Sequence, residues 1–432
     1  MSVPDDQAAR SLTMETSNPR EAAFLALFLS VREESFVTKK IEKWQRDTFP
    51  PQREAHLARE IAYGTARMAL ALDYLASQLA DRKKLDLKLK EKILLRTAIY
   101  QAYFMNGIPN YAITNETIKI AKKHCHESFV KFLNASLRRF FQSRPTLPKG
   151  ETVPEISIRY SYPAFFVQEL IQDFTLKKAC EILEAGNRPG PAMVRIRPQA
   201  KGTVEKQEGI EQLAGTLCPI AIIRDVRFLP EISKSPGYYI QNITPAVLMQ
   251  TLSNGIQEPP KRILDLCASP GGKLLSAYDH FPSANLNAND ISPEKIRILS
   301  ENCEKYGVKA TISCSLGQEF TSEQPFDLVI VDVPCSNSGV LNKRPEARWR
   351  ISKKHLEHLE ELQFQLCKHA VDLISDHGEV WYLTCSVLKR ENTELIKKVC
   401  QQCHLHVRAK ETIFPNLDGW DGGFGCAVRK QA

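Results

Sequence analysis

The chain has 432 residues, of which 43% are apolar and 25% are charged, and a formal net charge of +8. This composition excludes intrinsically disordered, collagenous and disulfide-rich chains, and the length predicts two or three domains. No apolar run approaches the ~18 residues of a membrane-spanning helix, and the opening residues lack the apolar core of a secretory signal. We therefore expect a cytoplasmic protein without membrane contact whose 12 cysteines are reduced thiols.

The excess positive charge is concentrated in the first third of the chain. Residues 1–144 hold 24 Lys and Arg against 16 Asp and Glu, whereas residues 145–432 hold 34 of each kind. A local excess of this sign attracts polyanions such as nucleic acid, but it also serves solubility. Charge alone leaves both interpretations open.

The first predicted elements are helices. Between residues 20 and 144 the only glycines are Gly64 and Gly107, and apolar residues recur at helical spacing. This pattern predicts six or seven helices in an all-α N-terminal domain that spans residues 1–145.

Residues 146–237 are predicted to form a linker and a small α/β domain. The segment 143–163 is rich in proline and polar residues, which is typical of a linker, and residues 164–185 have a helical pattern. Short apolar runs then alternate with turns over residues 190–240, which indicates a small α/β fold.

The apolar pattern changes near residue 245, where short strands begin to alternate with helices. Four segments are apolar and strand-like: KRILDLCAS, ANLNAND, FDLVIVDVPCS and GEVWYLTCS. Helices are predicted at residues 273–280, 293–306, 353–375 and 390–402. Strands that are apolar on both faces indicate a parallel sheet covered by helices on both sides. We therefore predict an α/β, Rossmann-like catalytic domain over residues 238–432.

The first of these strands runs into a glycine-rich loop, DLCASPGGK, at Asp265–Lys273. Ligands of such sheets bind at the carboxyl ends of the strands, and the two glycines allow close approach to the backbone. The loop does not match the phosphate-binding patterns GxxxxGK[ST] or GxGxxG. The remaining interpretation is S-adenosylmethionine, with its amino-acid end at this loop and its ribose hydroxyls at Asp290, which ends the next strand.

Two cysteines follow the third and fourth strands, at the same rim as the loop. Cys335 follows Asp332 in DVPCS, and Cys385 lies in TCS. A buried, inert cysteine is the ordinary alternative at such positions. A thiolate that adds to C6 of a pyrimidine, however, makes C5 nucleophilic enough to take a methyl group, and this covalent catalysis needs an activated cysteine. Asp332 is placed to hydrogen-bond the base, and the second cysteine can assist release of the adduct.

Three motifs and the N-terminal third carry a family resemblance. DLCASPGGK, DVPCSNSGV with RPEARW, and YLTCSVLKREN resemble, in order and spacing, the motifs of RNA cytosine-5 methyltransferases of the Sun/Fmu (RsmB) and Nop2 group. EIAYGTAR, IYQAYFMNGIPNYAITNETIKIAK and FLNASLRRF resemble the NusB-like helical domain of that family. Together they cover nearly the whole chain.

The resemblance implies a bacterial enzyme that methylates C5 of a cytidine in 16S rRNA with S-adenosylmethionine as cofactor. It implies that Cys385 is the nucleophile, that Cys335 promotes product release and that Asp332 orients the cytosine. Lys273 would lie close to the reacting centre. The residues that would hold the cofactor are Cys267, Ala268, Ser269, Pro270, Gly271, Gly272, Lys273, Asp290 and Asp332.

One departure from the family pattern bears on activity. Leu316 stands where the family usually has an acid that contacts the adenine side of the cofactor, which predicts weaker cofactor binding. The intact cysteines favour an active enzyme, whereas Leu316 keeps open a catalytically weak or inactive NusB-like RNA-binding factor. A methyltransferase that acts on tRNA or on another rRNA position is a further alternative.

A basic segment follows Cys335. Its candidate RNA contacts are Lys343, Arg344, Arg348, Trp349 and Arg350. Positive charge beside an aromatic ring suits phosphates and an unstacked base, although a solvated loop would have the same composition. We expect naked or partly assembled 16S rRNA as substrate, because the target base must be exposed or flipped out. The chemistry requires no metal, and a monomer is expected.

Overall fold

The computed structural model describes residues 13–79, 86–200, 210–213 and 219–431. The chain divides into two compact units. The first comprises residues up to Gln168 with the short segment Arg344–Trp349, and the second comprises Glu169–Lys343 with Arg350–Ala432. The predicted boundary at residue 145 therefore falls inside the first unit.

The first unit is helical. Its helices are α1 (Pro19–Arg32), α2 (Val37–Thr48), α3 (Gln52–Arg67), α4 (Ala69–Ser77), α5 (Leu89–Phe104), α6 (Asn110–His124), α7 (Glu127–Ser143) and α8 (Val153–Tyr160). The first seven confirm the predicted helical pattern between residues 20 and 144. Their apolar faces share one core that includes Trp44, which is fully buried and donates its indole N–H to the Thr16 carbonyl at 2.8 Å.

Helix α8 lies inside the segment that is predicted to be a linker. Thr152 and Glu155 form a capping box at its start, in which the Glu155 carboxylate accepts the Thr152 hydroxyl at 2.6 Å. At its end, the Ser161 hydroxyl accepts the Leu70 N–H of α4 at 3.0 Å. The prediction of a linker throughout 143–163 is therefore wrong, because the capping box and this contact stabilise a helix there.

The remaining elements alternate between strands and helices. Helices α9 (Ala164–Asp173) and α10 (Leu176–Ala185) occupy the segment 164–185, and then come α11 (Leu229–Lys234), α12 (Ile243–Ser253), α13 (Gly272–His280), α14 (Pro293–Lys305), α15 (Lys353–Leu373) and α16 (Thr393–Cys403). The strands are β1 (Ala192–Ile196), β2 (Ile210–Gln212), β3 (Ile220–Ile223), β4 (Tyr238–Ile240), β5 (Arg262–Asp265), β6 (Asn285–Asp290), β7 (Ala310–Cys314), β8 (Phe326–Asp332), β9 (Ile374–Thr384), β10 (Leu405–Ile413) and β11 (Gly423–Lys430). None of the described helices is long and apolar enough to cross a membrane.

A small antiparallel sheet precedes the large one. Its described strands have the order β2-β3-β1-β4, and its core contains Val194, Ile223 and Ile232. Strand β4 begins at Tyr238 and pairs with β1. The predicted boundary at residue 237 therefore separates a strand from its own sheet.

The large sheet has the order β10-β11-β9-β8-β5-β6-β7. Strands β5 to β9 pair in parallel, and β11 is antiparallel to both of its neighbours, β9 and β10. Trp381 and Tyr382 are neighbours in β9 and enter separate apolar cores on the two faces. The predicted Rossmann-like sheet is confirmed, and β7, β10 and β11 extend the four strands that the apolar pattern indicates.

A buried ion cluster joins the small sheet to α13. Asp279 accepts hydrogen bonds from Arg195 and Arg197, and the exposed fractions of the three side chains are 5%, 6% and 1%. Arg197 also donates to the Tyr306 carbonyl at 2.9 Å. Because α13 begins at the glycine-rich loop, the cluster fixes the helix that follows this loop.

Replacing Asp279 with alanine is expected to lower the free energy of unfolding by about 3–5 kcal/mol, because two buried guanidinium groups lose their shared carboxylate. Urea unfolding followed by tryptophan fluorescence measures the change. Asp376→Ala is the control, since that side chain is 96% exposed, and its effect is expected to stay within about 0.5 kcal/mol. Coincident unfolding curves for the Asp279 variant and the wild type would contradict the role of the cluster.

Candidate active site

The carboxyl ends of four parallel strands lie at one edge of the large sheet. Strands β5, β6, β8 and β9 end in Asp265, Asp290, Asp332 and Thr384. The pairing of β8 with β9 places Asp332 opposite Leu383, so the loops that carry Cys335 and Cys385 leave the sheet side by side. The structure thus brings both predicted cysteines to the rim that holds the glycine-rich loop.

The sulfur atoms of Cys335 and Cys385 are 3.0 Å apart, within hydrogen-bonding distance. Cys335 is buried and Cys385 is partly exposed. The hydrogen bond to Cys385, together with burial, raises the pKa of Cys335 well above its ordinary value. The Cys385 sulfur also lies 3.3 Å from Oδ1 of Asn337, a residue held at φ +58° in the left-handed region. The pair therefore combines a protonated Cys335 with a more open Cys385.

Lys273, in the first turn of α13, forms an ion pair with Asp332. Burial alone lowers the pKa of this lysine, but the charge and hydrogen bond of Asp332, followed by Cys385 and Asp265, raise it above its ordinary value. The ammonium group therefore stays charged at neutral pH.

The glycine-rich loop is fastened to the end of β6. The Ala268 N–H donates to the Asn289 carbonyl at 2.9 Å, and the Ser269 N–H donates to the Asp290 carboxylate at 3.0 Å. Gly271 has a φ of +110°, and a Cβ at this position would lie 3.1 Å from Leu299. Only glycine adopts this φ without strain. Gly271 therefore permits the tight turn by which the loop after β5 enters α13.

Asp265 ends β5 and is fully buried. Neither of its carboxylate oxygens makes a well-aligned hydrogen bond to a described residue. Burial, reinforced by the charge of Asp332, raises its pKa to about 7. A buried carboxyl group in this state is stabilised by a cationic ligand. Asp265 is not among the predicted site residues. Its position at a strand end next to the glycine-rich loop is the sequence signal that could have identified it.

Asp290 is nearly buried, and its own surroundings use both of its oxygens. One accepts the Ser269 N–H, and the other accepts the Ile291 N–H at 2.7 Å and pairs with Lys295 at 3.0 Å. The Lys295 side chain is half exposed. A ribose hydroxyl would therefore have to replace this lysine, and the assignment of Asp290 to the ribose stays a prediction.

Comparisons with known proteins identify the family. The model of the family described as 16S rRNA methyltransferase RsmB/F matches residues 255–429, and the NusB family model matches residues 17–142. Residues 255–429 thus match the RsmB/F methyltransferase family, and residues 17–142 match the NusB family.

Similar proteins cover nearly the whole chain. The probable ribosomal RNA small subunit methyltransferase B of Bacillus subtilis is 24% identical over 97% of this chain and 100% of its own length. The ribosomal RNA small subunit methyltransferase B of Vibrio cholerae is 26% identical over 96% of this chain and 98% of its own. The crystal structure of PH0851 has the same fold, with a TM-score of 0.77 at 18% identity over 97% of this chain and 100% of that one.

The cofactor is S-adenosylmethionine, which carries a positively charged sulfonium and an ammonium group. The site fits such a molecule. Asp265 offers a buried carboxyl group that lacks a well-aligned hydrogen-bond partner. Gly271 has no side chain, so it leaves room for a ligand beside the turn into α13.

One residue of the basic segment is buried in the first unit. Arg348 donates to the carbonyls of Arg67 and Ser161 at 3.3 and 3.2 Å, and its guanidinium lies 3.9 Å from the centre of the Tyr162 ring. Burial lowers its pKa to about 10. The prediction of RNA contact is wrong for Arg348, because a fully buried guanidinium cannot reach a phosphate on the surface.

The other four residues of the segment are exposed to different degrees. Lys343 pairs with Asp421 at 2.6 Å and keeps 44% of its side chain exposed. Trp349 donates its indole N–H to the Ala66 carbonyl at 2.8 Å and is 38% exposed. Arg344 and Arg350 lie at the surface. RNA contact by these four residues stays a prediction.

Sequence reasoning missed the polar residues behind the two cysteines. Five of them hydrogen-bond to one another or to the cysteine loops: Ser336, Asn337, Gln363, Glu391 and Asn392. The Glu-Asn pair shortly after TCS is the one local signal of this cluster, because acidic and amide residues are rare beside apolar strands.

Leu316 follows β7 and is 42% exposed. Strand β7 pairs with β6 so that Cys314 lies opposite Asp290, which places Leu316 at the same sheet edge as the glycine-rich loop. The aliphatic Leu316 side chain has no group that can form a hydrogen bond there, and its effect on cofactor binding stays a prediction.

Replacing Leu316 with aspartate is expected to lower the dissociation constant of S-adenosylmethionine about tenfold, the effect of one hydrogen bond to a charged group. Isothermal titration calorimetry measures it. Val31→Asp is the control, because Val31 is 56% exposed on α1 in the first unit, and its binding constant should match that of the wild type. An unchanged constant in the Leu316 variant would show that the acid is dispensable.

Proposed function

We propose that this protein transfers a methyl group from S-adenosylmethionine to C5 of a cytidine in 16S rRNA through a covalent bond between Cys385 and C6 of the base. The observation that carries the proposal is the cysteine pair, whose sulfur atoms lie 3.0 Å apart beside the Lys273–Asp332 ion pair. Carbon 5 of cytosine is a weak nucleophile, so methylation there needs a thiolate. Methylation at a nitrogen or oxygen of RNA requires no such pair.

Cys385 is the proposed nucleophile, because it is the more exposed cysteine and lies close to Lys273. Its thiolate bonds to C6 and so makes C5 electron-rich. S-adenosylmethionine supplies the electrophilic methyl group that C5 takes up. The sulfonium that has lost its methyl group becomes a neutral thioether. The C5 proton then passes to water and the bond between sulfur and C6 breaks, which gives 5-methylcytidine and returns the Cys385 thiolate. Cys335 is placed to assist this release, and Asp332 to hydrogen-bond the N3 and amino edge of the base.

The proposed cofactor site comprises the loop 267–273, Asp290 and Asp332, and we add Asp265 to it. Asp265 supports the proposal because its buried carboxyl group needs a cationic partner. Lys295 would leave Asp290 when the ribose binds, which costs little because the pair is partly exposed.

The proposed substrate is 16S rRNA. The family model describes a 16S rRNA methyltransferase, and both curated relatives are named for the RNA of the small ribosomal subunit. The excess of eight positive charges lies in residues 1–144, which include the NusB-family segment and favour contact with a polyanion. The target cytidine must leave its base stack to reach Cys385.

A catalytically inactive RNA-binding factor is the second candidate, and Leu316 is the observation that favours it. The ion pair and the two adjacent thiols favour the enzyme, since RNA binding alone requires neither.

Transfer of labelled methyl from S-adenosylmethionine to 16S rRNA transcribed in vitro tests the proposal. We expect the label in 5-methylcytidine after nucleoside analysis. Label in another nucleoside would overturn the chemistry. RNA that is bound but remains unlabelled would favour the inactive binding factor, and label on tRNA alone would change the substrate.

The two cysteines are expected to respond differently to substitution. Cys335→Ala should accumulate a covalent complex of protein and RNA, because the bond from Cys385 to C6 forms but is released slowly. Cys385→Ala should form none and lose activity by about 10³-fold or more. Denaturing gel electrophoresis with labelled RNA measures the complex, and Cys314→Ala, at an exposed cysteine on β7, is the control. Absence of a complex in both variants would contradict the roles given to these residues.

A further inference from the structure

Glu391 is fully buried and joins the two cysteine loops. Its Oε1 accepts the Ser336 N–H at 2.8 Å, and its Oε2 accepts the hydroxyls of Ser336 and Ser386, each at 2.5 Å. Ser336 directly follows Cys335, and Ser386 directly follows Cys385. One carboxylate therefore binds the neighbour of each cysteine.

The contacts around this carboxylate continue into a network. Gln363 of α15 donates to Glu391 at 2.9 Å and to the Pro334 carbonyl at 2.9 Å. The Ser338 and Ser386 hydroxyls lie 2.9 Å apart, and the Gly339 N–H donates to the Cys385 carbonyl at 2.9 Å. The two loops are thus joined by side chains and by backbone.

Asn392 hydrogen-bonds to the residues that precede and follow Cys385 in the chain. Its Oδ1 accepts the Thr384 hydroxyl at 2.6 Å, and its Nδ2 donates to the Ser386 carbonyl at 2.9 Å. Thr384 and Ser386 are the residues before and after Cys385. The Glu391-Asn392 pair therefore fixes the backbone that carries this cysteine.

We propose that Glu391 is a positioning residue that fixes the distance and orientation of the Cys335 and Cys385 sulfur atoms. In this arrangement Cys385 forms the bond to the base and Cys335 assists its release. This role rests on the proposed function. A buried carboxylate is costly unless hydrogen bonds satisfy it, and here four donors from three segments do so. Its negative charge also contributes to the raised pKa of Cys335, which keeps that cysteine a thiol.

A purely structural role would give Glu391 the same contacts, so the test uses a reporter of sulfur geometry. The oxidant diamide converts two adjacent thiols to a disulfide and is itself reduced to a hydrazine by the two electrons and two protons. A disulfide requires the sulfur atoms to close to about 2.05 Å. Mass spectrometry of peptides that contain Cys335 and Cys385 measures the rate in the full-length protein, without RNA or cofactor.

Glu391→Ala is expected to form this disulfide about tenfold more slowly than the wild type. It is also expected to lower kcat on 16S rRNA about a hundredfold, since misplacement of reacting groups by ~1 Å has an effect of this order, with KM for RNA and S-adenosylmethionine unchanged. Glu391→Gln should recover most of both rates. Its amide oxygen still accepts hydrogen bonds, and the serine hydroxyls can rotate to accept hydrogen bonds from its amide NH2 group. Ser386→Ala keeps the carboxylate and should slow both rates as well, so the test does not depend on the folding of the alanine variant.

Glu379→Ala is the matched control. Glu379 is a buried carboxylate on β9 that accepts from Trp381 at 2.8 Å and from Arg408 at 2.9 Å. Its loss should lower stability but leave the disulfide rate of the folded protein unchanged. Wild-type disulfide rates and kcat in the Glu391→Ala and Ser386→Ala variants would overturn the positioning role. A slower disulfide in both variants, together with a wild-type enzyme that methylates no RNA, would support the positioning of the thiols and refute the proposed function.

Discussion

The parallel pairing of β8 with β9 is the constraint on which the whole site depends. Neighbouring parallel strands end on the same side of a sheet, so the residues that follow them emerge together. Cys335 and Cys385 are 50 residues apart in the chain, yet this pairing places their sulfur atoms 3.0 Å apart. The glycine-rich loop follows β5, which is the other neighbour of β8. The glycine-rich loop and the two thiols therefore lie together because three adjacent strands end at one edge.

A shortage of positive charge governs the electrostatics of this edge. Lys273 pairs with Asp332, and the buried Asp265 lies near both. Burial and the charge of Asp332 raise the pKa of Asp265 to about 7, and the single ammonium group of Lys273 does not offset both carboxylates. The carboxyl groups of Asp265 and Asp332 thus outnumber the one ammonium group at this edge. A sulfonium cofactor that also has an ammonium group would supply the missing positive charge. The charge balance at this edge accordingly favours a cationic cofactor.

The sequence predicted the features that depend on local pattern. Helical periodicity, apolar strands and the three motifs gave the fold class, both cysteines and the loop. Features that depend on distant residues were missed. Arg348 is buried by Arg67, Ser161 and Tyr162, which no local pattern connects to it. Helix α8 was missed for another reason, since the prolines around it outweighed a capping box that is visible in the sequence. The network of Glu391 likewise forms only when two strand ends meet.

The position of β11 has a consequence for the biosynthesis of this protein. Strand β11 is inserted between β9 and β10, with Phe424 opposite Thr384, and the Gly422 N–H donates to the Gly339 carbonyl at 2.7 Å. Both glycines lie in such close contact that a Cβ on Gly339 would be 2.5 Å from the Gly422 carbonyl oxygen. A nascent chain that has reached residue 421 therefore contains every proposed catalytic residue but lacks the strand that supports the Cys385 loop. The Cys385 loop therefore gains its neighbouring strand only when residues 423–430 have joined the sheet, so this part of the site is the last to assemble along the chain.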